Sequence, residues 1–275
     1  MEVRSASPLR IYFINLDRRP DRRLEMETQF RSLGLHAERI AAVTPSDLSE
    51  DQKTRHCAPH NWDWMTQAEL SCSLSHLKAL ETFLASDAEQ ALILEDDVQM
   101  SRSLPRFLEA VDAQPGHYDI LRLETYLDGQ RLMPSIERTI EGIDIRRSWS
   151  WCAGAAAYLV SRHAAKKILD SGEFLRLQTD GALFNPYQSL SRLLVVRHCV
   201  PGLAVQHDRL DRNRQDSDLA EPRKQHEKPL PLPWAQRAFR KIAGIFKTEI
   251  VYGSQRQFHT IVGGARKVLV PFKAD

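Results

Sequence analysis

The chain has 275 residues, 42% of them hydrophobic and 27% charged, a composition typical of a soluble globular protein with one large core or two small domains. Its four cysteines form no C-x-x-C pair, which argues against a zinc site or a redox motif and favours reduced thiols. The sequence has no N-x-S/T acceptor, no signal-peptide core and no apolar run near the ~20 residues of a membrane span, which predicts a cytoplasmic protein.

Charge is distributed unevenly along the chain. Residues 223–275 contain eleven Lys or Arg against three acids, a balance of +8, whereas the whole chain carries +2, so the remainder carries −6. A mildly acidic body with a basic tail predicts an anionic surface as partner. Nucleic acid is not the expected partner, because the body is acidic and the chain has no Walker loop, Rossmann glycine pattern or zinc-finger spacing.

Apolar runs alternate with helical periodicity, which predicts an α/β layered fold. In chain order, the pattern predicts strands over 9–16, 37–43, 91–94, 119–123, 155–160 and 193–200, helices over 21–33, 73–85, 103–113 and 161–172, and a hairpin over 130–145. In the first helix we expect Leu24, Phe30 and Leu33 to face the core. Ser103 is the expected cap of the third helix. The polar segment 44–67 predicts a long loop near the site.

The C-terminal part has a different composition. Residues 221–233 contain four prolines and predict an extended linker that leaves the globular body. Residues 234–247 have amphipathic helical spacing, with apolar side chains on one broad face and four Lys or Arg opposite. We expect residues 234–275 to form a basic tail that contacts the cytoplasmic face of an anionic membrane. Packing of the apolar face on the body is the alternative.

Three consecutive carboxylates, Glu95, Asp96 and Asp97, directly follow the apolar run 91–94. The ends of strands are where open α/β sheets bind ligands. Adjacent acids repel one another, and a divalent cation such as Mn²⁺ or Mg²⁺, which prefers oxygen ligands and commonly acts on phosphates, would relieve the repulsion. We expect Asp97 to bind the metal, and Glu95 and Asp96 to hold a ribose or hydrate the metal. Three solvated loop acids are the alternative.

Four sequence blocks together resemble glycosyltransferase family 25, the lipopolysaccharide and lipooligosaccharide galactosyltransferase family that also includes collagen galactosyltransferases. The blocks are IYFINLDRRPDRR at 11–23, ELSCSLSH at 69–76, ALILEDDV at 91–98 and AGAAAYLVSR at 153–162. Their order and spacing are more specific than any single block. The resemblance implies a GT-A-like mixed sheet, a UDP-sugar donor, often UDP-galactose, and a divalent metal.

The first two blocks supply candidate residues for donor binding. Asn15 and Arg18 follow the first strand, where an arginine pairs with phosphate or stacks on a base. Ser75 and His76 lie on the helix predicted over 73–85, and the family match favours a role for them in the donor site. A structural histidine is the alternative for His76.

Candidate residues for catalysis and acceptor binding come later in the chain. Asp180 stands where the resemblance implies an acidic element, and it is the expected base that takes a proton from the acceptor hydroxyl in an inverting reaction; an ordinary turn aspartate is the alternative. His207 or Asp208 is expected to complete the metal shell, with a charged surface loop as the alternative. Trp149 and Trp151 are expected to bind the acceptor, because aromatic faces stack on sugars. The alternative is that both are core tryptophans.

The combined pattern predicts a metal-dependent inverting hexosyltransferase. Residues 1–220 would form its catalytic domain. This domain would move a sugar, expected to be galactose, from a UDP-sugar to a lipopolysaccharide, lipooligosaccharide or similar glycan acceptor. Two alternatives remain open. One is a metal-dependent phosphohydrolase of nucleotide sugars, against which the scattered histidines argue. The other is a non-catalytic module that binds glycans or membranes.

Overall fold

The computed structural model describes residues 9–59, 64–114, 116–211 and 232–275. The strands are β1 Arg10–Asn15, β2 Glu38–Ala41, β3 Gln90–Glu95, β4 Val98–Met100, β5 Ile120–Arg122, β6 Glu124–Thr125, β7 Gly129–Leu132, β8 Arg138–Ile140, β9 Ile143–Arg146, β10 Ala157–Ser161, β11 Val196–Val200, β12 Ala204–Gln206 and β13 Arg266–Leu269. The helices are α1 Pro20–Leu33, α2 Glu50–His56, α3 Gln67–Ala85, α4 Leu104–Ala113, α5 Arg162–Ser171, α6 Thr179–Phe184, α7 Ser189–Leu193, α8 His207–Leu210, α9 Trp234–Ile245 and α10 Gly253–Ile261.

A mixed sheet forms the centre of the described structure. Its eight strands lie in the order β2-β1-β3-β10-β5-β11-β9-β8. β1 is parallel to β2 and β3, and β5 is parallel to β11, whereas β10 runs antiparallel between β3 and β5. A smaller sheet has the order β4-β12-β6. The observed architecture is therefore a mixed α/β fold, as the alternating pattern predicted.

Both faces of the large sheet are buried, which explains the unbroken apolar runs of its central strands. On one face, Phe13 and Leu92 pack with Phe30 of α1 and with the apolar residues of α4. On the other face, Tyr12 and Ile93 pack against α3 and α5. Successive side chains alternate between these two layers, so each strand contributes to both cores.

Local capping signals set most helix boundaries. Gly34 ends α1 with a φ of 67°, a conformation that glycine adopts without a Cβ penalty. The Ser161 hydroxyl accepts the Ala164 N–H at 3.1 Å and begins α5. Ser103 is the N-cap residue of α4, as expected, but its side chain forms no capping hydrogen bond, because Ser103 has helical dihedral angles and its hydroxyl donates to the Asp275 carbonyl.

Three local expectations were wrong. The segment 44–67, expected to be a loop, contains a 3₁₀ turn at Pro45–Asp47 and α2, which was missed because it buries no residue and so lacks apolar periodicity. Leu24 is 62% exposed, since the buried stripe of α1 consists of Arg22, Met26 and Phe30. The hairpin expected over 130–145 consists of β8 and β9 alone, because β7 pairs with β13.

The C-terminal segment contacts the body at several points, the first of which is the Arg240 guanidinium, which donates to the Pro59 carbonyl at 3.0 Å. β13 pairs antiparallel with β7, and the ring of Tyr252 stacks on Tyr187 with centroids 4.9 Å apart. The Arg131 guanidinium donates to the Thr260 hydroxyl at 3.0 Å. Tyr252, Thr260 and β13 therefore contact the body by ring stacking, a polar contact and strand pairing.

Helix α9 presents a different surface. Four large apolar side chains of this helix are exposed, Trp234 at 76% and then Phe239, Ile242 and Ile245. The linker expected over 221–233 lies outside the described residues up to position 231. Within the described ranges, every helix is too short or too polar to cross a bilayer.

Candidate functional site

A cleft of about 380 Å³ opens where β1 and β3 end side by side. Parallel strands bring their carboxyl ends to one edge of the sheet, which is the usual ligand position in such folds. The N-terminal half of α3 forms one wall, and the start of α6 forms the other. The lining includes six carboxylates and three arginines, together with Ser75 and His76; the charged residues are Glu69, Glu95, Asp96, Asp97, Asp180, Asp208, Arg18, Arg22 and Arg209.

Asp96, the middle acid of the triplet, is fixed by two hydrogen bonds at the base of the cleft. Asp96 is buried, its Oδ1 accepting from Arg22 Nη1 at 2.9 Å and its Oδ2 from Asn15 Nδ2 at 2.6 Å. Asn15 in turn accepts from Arg39 Nε at 2.9 Å. Burial raises the pKa of Asp96, and the Arg22 cation acts in the opposite direction. Asn15 and Asp96 therefore form a bracket at the base of the cleft, and Asn15 itself does not line it.

The outer two acids face the cleft and repel each other. Asp97 accepts from Gln206 Nε2 at 3.2 Å, and among the described residues it forms no ion pair. Burial and the Glu95 carboxylate raise the pKa of Asp97 to about 7. Asp208 also lines the cleft and lies 3.5 Å from the Arg209 guanidinium. Carboxylate oxygens are the ligands that hard divalent cations prefer.

The structure does not place the His207 ring in the cleft. The His207 backbone N–H donates to the Asp97 carbonyl at 2.9 Å, which fixes α8 beside the acids. Its buried imidazole points the other way, with Nε2 lying 3.4 Å from Glu25 Oε1. Gln206, Asp208 and Arg209 line the cleft instead.

Ser75 and His76 connect α3 to two strands. The fully buried His76 has Nδ1 3.0 Å from the Tyr158 hydroxyl and Nε2 3.3 Å from Glu95 Oε1. Ser75 Oγ accepts the Val43 N–H at 2.8 Å, which holds the segment after β2 against the cleft. Both residues line the cleft, so the structure brings these two candidates together with Glu95.

Asp180 lies on the wall opposite the acidic triplet, in the first turn of α6. Its carboxylate accepts the Gly154 N–H at 2.9 Å and the Gly181 N–H at 2.7 Å. Gly154 has a φ of 85°, and a Cβ there would stand 2.6 Å from Glu124 Oε1. A glycine is therefore needed for the chain to pass between Asp180 and Glu124.

Sequence reasoning missed a buried ion pair behind this wall. Arg122 and Glu124 are both almost fully buried and lie 3.4 Å apart, and Glu124 also accepts the Ala156 N–H at 2.9 Å. Burial raises the pKa of Glu124 to about 8. The available signal was Arg122 itself, a charged residue inside an apolar strand, because such a residue needs a buried partner.

The two candidate acceptor tryptophans do not lie in the cleft. Trp149 stacks on the His259 ring of α10 and under the Arg147 guanidinium, and it lines a separate cavity of about 390 Å³. Trp151 is 56% exposed. After the two tryptophans, the first residue that lines the cleft is Gly154. The Trp149 N–H pairs with the Arg131 carbonyl, which holds Trp149 beside β7 and away from the cleft.

The fold and the cleft define an α/β protein with an acidic cleft at the ends of parallel strands. The model of glycosyltransferase family 25, described as an LPS biosynthesis protein family, matches residues 9–183, and the chain belongs to this family. A glycosyltransferase 25 family member from Aedes aegypti is 32% identical over 171 residues, which cover 58% of this chain and 28% of that protein.

Some relatives carry a different description. The inactive glycosyltransferase 25 family member 3 of Homo sapiens is 25% identical over 209 residues, 72% of this chain and 32% of that protein. The chain therefore spans less than a third of the length of these curated relatives. Among solved structures, a glycosyltransferase involved in glycosylation of the major capsid of PBCV-1 is 11% identical with a TM-score of 0.38, covering 80% of this chain and 99% of that one; a likeness this low carries no argument.

Proposed function

We propose that this chain is a metal-dependent inverting glycosyltransferase with a GT-A-like fold, which transfers galactose from UDP-galactose to a lipopolysaccharide, lipooligosaccharide or similar glycan. The observation that carries the proposal is the facing arrangement of two kinds of carboxylate in one cleft. Glu95 and Asp97 form a charged cluster on one side, and Asp180 is held singly on the other. Family membership supports the transfer reaction.

The donor set on the acidic side fits a hard divalent cation, Mn²⁺ or Mg²⁺. The fit rests on the chemistry of the lining, because the carboxylates of Glu95, Asp97 and Asp208 all line the cleft and carboxylate oxygens are the ligands that such cations prefer. Asp97 would bind the ion, and Glu95 and Asp208 would complete the site through water, since the oxygens of these three carboxylates do not all lie within 4.8 Å of one another. Bound there, such a cation neutralises the growing charge of a leaving diphosphate. Gln206 keeps the Asp97 carboxylate directed into the cleft.

Other residues are suited to bind and orient the donor. Arg18 lines the cleft beside the ends of the strands, where a guanidinium pairs with phosphate oxygens. The Asn15–Asp96 bracket, with Arg22, makes the base of the cleft rigid. His76 fixes the position of the Glu95 carboxylate. These contacts give the donor a preorganised surface, which reduces the entropy lost on binding.

Asp180 is the group in position to act as a base. The Gly154 and Gly181 N–H groups fix its carboxylate, and the open side faces the cleft across from the acids. An acceptor hydroxyl placed between Asp180 and the sugar would lose its proton to this carboxylate as the new glycosidic bond forms. That geometry favours inversion at the anomeric carbon, with the base and the leaving group on opposite sides.

Product analysis with UDP-galactose and Mn²⁺ tests the proposal. We expect UDP release that depends on a glycan acceptor, and glycoside as the sugar product. Free galactose at saturating acceptor would indicate a phosphohydrolase. A protein that binds UDP–Mn²⁺ calorimetrically but releases no UDP would be a non-catalytic member, a candidate that the relatives named inactive support.

We propose that the enzyme acts at the cytoplasmic face of an anionic membrane, where glycolipid acceptors lie. Helix α9 supports this location because its exposed apolar side chains, Trp234, Phe239 and Ile242 among them, share a helix with Arg237 and Lys241. Sedimentation with vesicles that contain about a third anionic lipid should recover the protein, and Phe239→Glu should weaken recovery. Equal recovery with neutral vesicles would contradict the electrostatic part of the proposal.

A further inference from the structure

Cys72, His76 and Glu95 form a compact cluster on the α3 side of the cleft. Cys72 and His76 are four residues apart on α3, so their side chains lie on one face of the helix. Glu95, at the end of β3, completes the group. One thiol sulfur, one imidazole nitrogen and one carboxylate oxygen all lie within 4.8 Å of one another, and all three residues line the cleft.

The imidazole of His76 is oriented as in a metal site. It is fully buried, and its Nδ1 contacts the Tyr158 hydroxyl at 3.0 Å, while Nε2 faces Glu95. When an ion binds Nε2, the ring proton lies on Nδ1 and donates to the Tyr158 oxygen; with no ion bound, the proton on Nε2 donates to Glu95 Oε1 instead. A second ring nitrogen held by a fixed partner is the usual arrangement of a metal-binding histidine.

The chemistry of the three donors differs from that of the Asp97 side. A thiolate and an imidazole select borderline-soft ions such as Zn²⁺, whereas Mg²⁺ and Mn²⁺ prefer carboxylates and water. Three protein ligands also leave a fourth position open in a tetrahedral site. Asp97 lies outside the cluster and is held by Gln206.

We propose that Cys72, His76 and Glu95 bind a Zn²⁺-class ion at a second metal site within the cleft, and that this ion obstructs binding of the nucleotide donor. On binding, the Cys72 thiol loses its proton to solvent, a sulfur–metal bond forms, and Nε2 and the Glu95 carboxylate complete the protein ligands. With its carboxylate bound to this ion, Glu95 is no longer available for binding of the nucleotide donor and its metal. Only this last step rests on the proposed function.

Co²⁺ is a direct probe, because a cobalt–thiolate bond absorbs in the near ultraviolet and oxygen or nitrogen ligands alone do not. We expect the full chain, without nucleotide, to bind one Co²⁺ with this absorption and to lose it when Zn²⁺ is added. Cys72→Ser should abolish the band and weaken Zn²⁺ binding at least tenfold. Cys57→Ser is the matched control, since Cys57 is also partly buried but lies outside the cleft lining, and it should retain the band.

Two results would overturn the proposal: no thiolate band in the wild-type protein at saturating Co²⁺, or a band that persists in folded Cys72→Ser. Circular dichroism checks that each variant is folded. Competition then tests the obstruction, because Zn²⁺ should weaken UDP–Mn²⁺ binding in the wild type and not in Cys72→Ser. A protein that shows the band but binds no UDP–Mn²⁺ would refute the glycosyltransferase proposal and leave the second site intact; UDP–Mn²⁺ binding without the band would do the reverse.

Discussion

Replacing Asp97 by asparagine should stabilise the protein at alkaline pH. Burial and Glu95 raise the pKa of Asp97 from 3.8 to about 7, so ionisation of this carboxyl costs more in the folded than in the unfolded chain. At about 1.36 kcal/mol per pKa unit, the difference sets an upper limit of about 4 kcal/mol, and we expect on the order of 2 kcal/mol after local relaxation. The asparagine keeps the size of the side chain and still accepts from Gln206.

The pH dependence gives the sign of this effect. Because the pKa of Asp97 is raised in the folded state, the folded protein holds the proton while the unfolded chain releases it as the pH rises from about 4 to about 7. Wild-type stability therefore falls across this window relative to Asp97→Asn. Near pH 4 the two proteins should be about equally stable, and above about pH 7 the gap should stay constant.

Urea unfolding of both proteins near pH 4 and near pH 8 measures the gap. The exposed Asp170 of α5 supplies a control, since Asp170→Asn should change stability little at either pH. Mn²⁺ should raise the thermal midpoint of the wild type and not that of Asp97→Asn, because a ligand stabilises only the state that binds it. An Asp97→Asn protein that is no more stable than the wild type near pH 8 would refute the reasoning from uncompensated charge.

Three further substitutions test other parts of the site. Asp180→Asn should lower kcat for UDP release by about 10²- to 10⁴-fold while UDP–Mn²⁺ affinity, measured by calorimetry, stays the same; an unchanged kcat would remove Asp180 from the reaction. Gly154→Ala should cost about 1–3 kcal/mol more in urea unfolding than Gly142→Ala, which shares a positive φ but has nothing within 4 Å of the new Cβ; equal costs would show that the approach to Glu124 is harmless. Glu124→Gln should remove a loss of stability between about pH 4.5 and about pH 8, since the pKa of Glu124 is raised to about 8; a pH profile identical to the wild type would contradict that shift.

The first half of the fold was predictable because its signals are local. Strands β1 and β3 are unbroken apolar runs, and α1 ends at a glycine, so pattern and capping suffice. The insertion of β10 antiparallel between β3 and β5 was not predictable, because strand order depends on contacts between distant residues. α2 stayed hidden since its only signal is a capping box, Ser49 with Gln52, in a polar stretch.

The site was predictable in position but not in the direction of each side chain. The run of acids marked the end of β3. However, the Asp96 carboxylate accepts a hydrogen bond from Arg22, whereas the Asp97 carboxylate accepts one from Gln206. Such divergence depends on partners 74 and 109 residues away along the chain. The Cys72–His76 spacing was visible in the sequence, but its third member, Glu95, joins it only through the packing of α3 on β3.

The smaller sheet makes formation of the cleft depend on residues late in the chain. β12 lies between β4 and β6, so Gln206 meets Asp97 only when residues well past position 183, where the family match stops, have taken their places. A ribosome-bound fragment that ends before β12 displays the acidic triplet yet lacks the amide that restrains it. A chain that ended at residue 183 would lack β11 of the large sheet and the Gln206 amide, so the organised cleft depends on residues beyond the matched region.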